Sequence, residues 1–276
     1  ELLDYQQYPV LAAELSTMNR RPLGIGIINF AYWMVKHDMT YQEPNLELID
    51  EWAEAWSYSL IKASNKLAME KGACPKSMET KYGHGITPNQ TYKKDLDELV
   101  KHKERQNWKE LRKNLVEHGI RNSTLMALMP AETSAQISNS TNGIEPPRGY
   151  ISIKQSKHGV LKQVVPGFPY YKNKYDLLWD QKSPQGYLKI MAVLQKYIDQ
   201  GISVNTSYNP EHYEDEKVPM SVLIQDLLMF YKYGGKQLYY NNTYDGQGEI
   251  DINKDDKLED LPMGEIDDED CESCKI

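Results

Sequence analysis

The chain has 276 residues, 40% hydrophobic and 26% charged, enough to bury the core of one large domain or two modest ones. Its net charge of −8 is uneven, because residues 245–276 hold thirteen Asp or Glu against three Lys, a net −10, which leaves the first 244 residues at +2. That balance excludes the basic footprint of a nucleic-acid binder, and no run approaches the ~20 consecutive apolar residues of a membrane span.

The opening residues, with Glu1 and Asp4, do not resemble a secretion signal, so a cytoplasmic protein without membrane or nucleic-acid partners is expected. The Asn-x-Ser/Thr triplets, Asn205 among them, are read as chance. Three cysteines, Cys74, Cys271 and Cys274, are too few for a disulfide scaffold.

Early in the chain, Gly24-Ile25-Gly26 opens like a dinucleotide fingerprint, but Asn29 stands where its third glycine belongs. Residues 45–71 read as a helix, with Leu46, Ile49, Trp52, Trp56, Leu60, Ala63 and Leu67 at three- and four-residue steps and Gly72 as its stop. A second helix spans about 108–118, with Leu111 and Leu115 on one face and Gly119 at its end. Thr124 to Met129 reads as a strand feeding a short helix after Pro130. Residues 151–155 and 160–165, separated by a turn at His158-Gly159, form an expected hairpin.

Residues 186–199 read as a helix with Leu188, Met191, Leu194, Tyr197 and Ile198 inward. Residues 202–208 are strand-like, 218–231 helical and 236–242 a further strand. This strand, helix, strand order favours a parallel pair with a crossover, so the body is expected to be α/β. From Asp245 onward, heavy like charge and low hydrophobicity cannot offset the entropy of ordering. The expected organisation is a folded body, 1–244, and a flexible acidic tail, 245–276, ending in two thiols. In that tail Asp251, Asn253 and Asp255 mimic a calcium loop, yet Asp256 replaces its turn glycine.

Three groups of residues could carry chemistry. Pro130-Ala131-Glu132-Thr133-Ser134-Ala135 would open a helix with unpaired amides, small side chains and hydroxyls, suited to a phosphate. An ordinary cap, with Glu132 complementing the helix dipole, explains the same residues. Tyr239 and Tyr240 could be oxidisable stepping stones, or a strand with one ring inward and one outward. Cys271-Glu272-Ser273-Cys274 could close a disulfide at the end of a tether, or be inert exposed thiols. Cys74 reads as a packed small hydrophobe.

Taken together, Arg121-Asn122-Ser123-Thr124-Leu125, Ala127-Leu128-Met129-Pro130, Glu132-Thr133-Ser134, Gln136-Ile137-Ser138-Asn139 and Thr141 to Tyr150 resemble the large, catalytic subunit of class Ia ribonucleotide reductases. Arg21 to Gly26, Asn29 to Tyr32, Gly72 to Pro75, Lys217 to Met220, Leu238-Tyr239-Tyr240 and the ending Cys274-Lys275-Ile276 extend the likeness along the chain.

The resemblance implies the later part of a ten-stranded α/β barrel. It implies that Pro130 to Ala135 hold the diphosphate of a ribonucleoside diphosphate, and that Tyr239 and Tyr240 are a stacked pair relaying a radical. That radical would come from a metal-radical cofactor in a separate small subunit, with no cofactor bound by this chain. Cys271 and Cys274 would be the dithiol that re-reduces the active site and is itself reduced by a thioredoxin or glutaredoxin. The helix at 218–231, with Leu223, Leu227 and Phe230, matches part of the small subunit's docking groove. The family's thiyl-forming cysteine, in an Asn-x-Cys-x-Glu loop, is not among these residues. A companion chain carrying the first half of the subunit is therefore expected, with an inactive interaction module as the alternative.

Overall fold

The computed structural model describes residues 2–156 and 159–245, with side chains outside 153–161. Two short N-terminal helices, α1 (Leu2–Tyr5) and α2 (Leu11–Arg20), precede α3 (Phe30–Lys36) and the long α4 (Leu46–Lys71). Asn45 Oδ1 starts α4 by accepting from the Leu48 amide at 3.1 Å, and Gly72 ends it at φ 84°. A run of 3-10 turns between 77 and 98 leads to α5 (Trp108–His118), which begins at Asn107, whose side chain accepts from the Glu110 amide at 3.3 Å, and stops at Gly119. Then come α6 (Glu132–Ile137), β1 (Ile151–Ser156), β2 (Gly159–Val164), α7 (Phe168–Tyr171), α8 (Gln185–Gln195), β3 (Val204–Tyr208), α9 (Met220–Lys232) and β4 (Leu238–Thr243).

Four parallel segments follow one another through the body. Residues 23–27 lie beside 124–127, bridged at Ile25 and Met126. Leu128 bridges Ile202 in the same sense, and β3 pairs in parallel with β4. Helices α3 to α5 fill the first connection, α6 to α8 the second and α9 the third, the strand, helix, strand return expected for 202–242. Among the described residues this sheet does not close. The later barrel part implied by the resemblance is thus present only as an open parallel succession, and β1 and β2 form a separate antiparallel hairpin.

The segment expected as a strand at 124–129 makes only isolated bridges. Its amides at Leu125 and Met126 are taken at 2.8 and 2.9 Å by the carboxylate of Asp199 rather than by a neighbouring strand. Helix α8 ends at Gln195 rather than 199, because Tyr197 and Ile198 bond back to Leu194 and Gln195, tightening the last turn. Its expected inward residues are all buried. On α4 the buried face is Ile49, Ala53, Ser57, Ile61, Ser64 and Ala68, displaced from the apolar series, and Leu67 is 39% exposed. The displacement brings Asp50 and Glu54 inward to Arg105, Lys196 and Trp108. Among the described residues no helix is long and apolar enough to cross a membrane.

Candidate functional site

In parallel α/β folds, ligands gather beyond the carboxyl ends of the strands. Pro130 to Ala135 lie just past the second parallel segment and run into α6 as expected. The turn is held from both sides. The Ala131 amide donates to Asn142 Oδ1 at 3.0 Å, and Ser140 N–H reaches Ala135 O at 2.8 Å. Asn29, at φ 65°, fixes the far arm: its amide donates to Thr141 O at 2.9 Å and its Oδ1 accepts from Thr141 N–H at 3.1 Å. The opening of α6 carries no side-chain cap from Ala131, and Glu132, Thr133 and Ser134 in its first turn are exposed, with Ala135 buried beneath.

Tyr239 and Tyr240 sit in β4, and their geometry differs from both sequence expectations. Alternation along a strand would send one ring inward and one outward. Instead the rings are 50% and 49% exposed with centroids 4.2 Å apart, tilted by 55° rather than stacked in parallel. The cause is a break in register. Val204 faces Leu238, but Thr206 faces Asn241, so β4 spends one residue more than β3 over this stretch. Such a bulge bends the strand and turns neighbouring side chains toward one side.

Between those pairs, Asn205 Oδ1 accepts from the Tyr240 amide at 3.0 Å, and its Nδ2 donates to Glu145 Oε1 at 2.6 Å. Burial pushes the Glu145 carboxyl up from the usual carboxylate range, opposed by the Asn205 bond and the Arg148 charge and reinforced by Glu132. Glu145 is thus the group that feels α6 and, through Asn205, holds the tyrosine strand. Sequence reasoning missed both residues. Glu145 lay inside the run that carried the resemblance, whereas Asn205 had no signal beyond a chance triplet.

Cys271 and Cys274 lie outside the described residues. Cys74 is buried and its thiol is pushed up by burial, which suits the packed, unreactive role expected for it. A cavity of about 620 Å³ lies at the opposite, amino ends of the parallel segments, among Arg20, Thr124, Asp199 and Lys236. Four of its cations are already engaged: Arg20 with Glu79, Lys196 with Asp50, Lys93 with Tyr231 O, and Lys236 with the carbonyls of Ile198, Asp199 and Gln200.

Residues 1–241 match the family described as ribonucleotide reductase, barrel domain. The ribonucleoside-diphosphate reductase 1 subunit alpha of Salmonella typhimurium is 52% identical, covering 99% of this chain and 35% of the relative. The ribonucleoside-diphosphate reductase subunit alpha of Haemophilus influenzae is 54% identical over 92% of the chain and 34% of the relative. That of Enterobacteria phage T4 is 43% identical over all of the chain and 35% of the relative. The chain spans about a third of the length of these curated relatives. With the match running through the helix-opening turn, the half-buried Glu145 and the bulged tyrosine strand alike, the chain belongs to the ribonucleotide reductase barrel-domain family.

Proposed function

We propose that these residues form the part of a ribonucleoside-diphosphate reductase that seats the substrate phosphates and delivers the radical, working with the remaining two thirds of the large subunit. The observation that carries this is the pair of adjacent tyrosine rings brought to 4.2 Å at the surface of β4. A tyrosine loses a proton together with its electron when it is oxidised near neutral pH. Two phenols in contact exchange both over a short path: a radical on Tyr240 takes a hydrogen atom from Tyr239, which leaves Tyr240 reduced and the radical on Tyr239. Tyr239 then takes a hydrogen atom from a thiol in the remaining part of the subunit, and the reverse steps return the radical after turnover. The radical originates on the metal-radical cofactor of the small subunit, and this chain binds no cofactor of its own.

The diphosphate of the ribonucleotide is proposed to sit against the first amides of α6, with the hydroxyls of Thr133 and Ser134 as further donors. Cys271 and Cys274 are proposed as the tail dithiol that reduces the active-site disulfide and is itself reduced by a thioredoxin or glutaredoxin. The exposed apolar row of α9, Met220, Ile224, Leu227, Leu228 and Tyr231, gives the small subunit a docking surface in this reading. Leu223, Leu227 and Phe230 were the expected contacts, but Phe230 is buried in the core. The proposal is the same whether the rest of the large subunit is joined to these residues or is a companion chain.

The test uses the assembled reductase, with the rest of the large subunit and the small subunit present. Both hydroxyls are on half-exposed rings, so Tyr239→Phe and Tyr240→Phe should leave stability within about 0.5 kcal/mol. Each should nevertheless abolish deoxynucleotide formation while nucleoside diphosphate binding stays intact. Turnover at the unsubstituted rate in either variant would refute the relay and favour an inactive interaction module.

A further inference from the structure

We propose that Asn205, backed by Glu145, is the positioning residue that sets the contact between the two relay tyrosines by pinning the main chain of Tyr240 in the β4 bulge. The inference rests on the relay reading above and names the device that makes its geometry.

A bulge leaves one residue without its ladder partner. Here the Tyr240 amide donates to a side chain, Asn205 Oδ1, at 3.0 Å. An asparagine amide held at only one end can turn over. This one is fixed at the other end, because Nδ2 donates to Glu145 Oε1 at 2.6 Å, a short, charge-assisted bond when the carboxyl is ionised.

The Glu145 end of the bridge is partly buried, beside Pro146, Leu178, Gln181, Pro184, Tyr187 and Ser207, while the bond to the Tyr240 amide lies nearer the surface. A bond withdrawn from water at one end is stiffer than one exposed throughout, because water competes less for it. The rings of Tyr239 and Tyr240 are half in solvent, so their directions follow in large part from the main chain that carries them. Their 4.2 Å separation is therefore set from the backbone, through Asn205.

The charged and titratable groups that act on Glu145 are Arg148, which favours its ionised form, and Glu132, which opposes it. Burial, with the nearby Glu145 charge as a lesser cause, pushes the phenols of Tyr41 and Tyr187 up.

The experiment measures steady-state turnover of the assembled reductase against pH for Asn205→Ala and Asn205→Asp. Asn205→Ala removes the Oδ1 acceptor of the Tyr240 amide and is expected to lower kcat by about 10- to 100-fold, the scale of a displacement near 1 Å, with KM for the nucleoside diphosphate within about twofold. Asn205→Asp keeps an acceptor for Tyr240 but sets a second carboxyl against Glu145. The two share one proton at low pH and repel once both ionise. Its kcat should approach the unsubstituted value at the acid end and fall toward that of Asn205→Ala at the alkaline end, along a limb the unsubstituted enzyme lacks. Recovery at acid pH reports on the bridge itself, which a general loss of folding would not restore.

Unchanged kcat in Asn205→Ala, or a pH profile of Asn205→Asp parallel to that of the unsubstituted enzyme, overturns the inference. The Tyr239→Phe and Tyr240→Phe variants, run alongside, separate the two readings. If they keep turnover, the relay itself is wrong; if they lose it while the Asn205 variants do not, only the pin is wrong.

Discussion

Asp50 is fully buried on α4, and its two oxygens accept from Arg105 Nη1 at 2.8 Å, Lys196 Nζ at 2.8 Å and the Tyr197 hydroxyl at 2.9 Å. One helical turn on, Glu54 takes the Arg105 amide at 2.6 Å and the Trp108 indole at 2.9 Å. Removing one partner of such a cluster strands a charge away from water, which costs about 3–5 kcal/mol. Asp50→Asn strands the fully buried Lys196 ammonium. Lys196→Met leaves Asp50 still paired with Arg105 and Tyr197. Denaturant unfolding should therefore show Asp50→Asn as the more destabilising of the two, and the reverse order would contradict this account. None of the cluster was visible beforehand, since Asp50 and Glu54 lie outside the apolar series that marked the helix. The tyrosine pair was visible, but its geometry was not. A ring's direction in a strand follows from alternation only while the register holds, and the break in register is met by one asparagine that belongs to no pattern.

Helix positions were legible wherever the chain spells out its own ends. Asn45 and Gly72 bound α4, Asn107 and Gly119 bound α5, and both helices fall within a residue of the expected limits. The parallel return from β3 to β4 was legible for a related reason, because a helical stretch between two short apolar runs has few other ways to fold. What sequence could not give was which face of α4 turns inward, since the partners lie on α5's approach and at the end of α8. Close approaches between elements were equally hidden. A Cβ added at Gly186, in the first turn of α8, would stand 1.9 Å from the carbonyl oxygen of Tyr41. At Gly149 it would meet only Ile151 O at 3.6 Å. Gly186→Ala must push α8 away from that loop, an overpacking cost of about 2 kcal/mol or more, equivalent to about 4–8 °C in Tm for a chain of this size. Thermal unfolding should show that drop for Gly186→Ala and a change within about 0.5 kcal/mol for Gly149→Ala. Equal melting of the two variants would mean that α8 is not seated as described.

Over the whole molecule, the parallel succession carries apolar surface at both of its flanks. Leu2, Tyr5, Val10, Leu11 and Leu15 are exposed near the first segment, and α9 and β4 expose Leu227, Leu228, Tyr239 and Tyr240 near the last. In the proposed assembly the rest of the large subunit covers the former, and the small subunit approaches the latter. The family was legible in the sequence through the long run from Arg121 to Tyr150, and that run builds the turn before α6, the Asn29 clamp and Glu145. The open sheet was legible only through the resemblance, which implied the later part of a barrel and not a closed one. The most direct test of the central claim replaces Tyr240 with an amino-substituted tyrosine of lower oxidation potential and follows the assembled reductase by electron paramagnetic resonance on addition of nucleoside diphosphate. The account predicts a new radical signal at position 240 that grows as the small subunit's signal falls. A small-subunit radical that persists unchanged, with no signal at position 240, would contradict it.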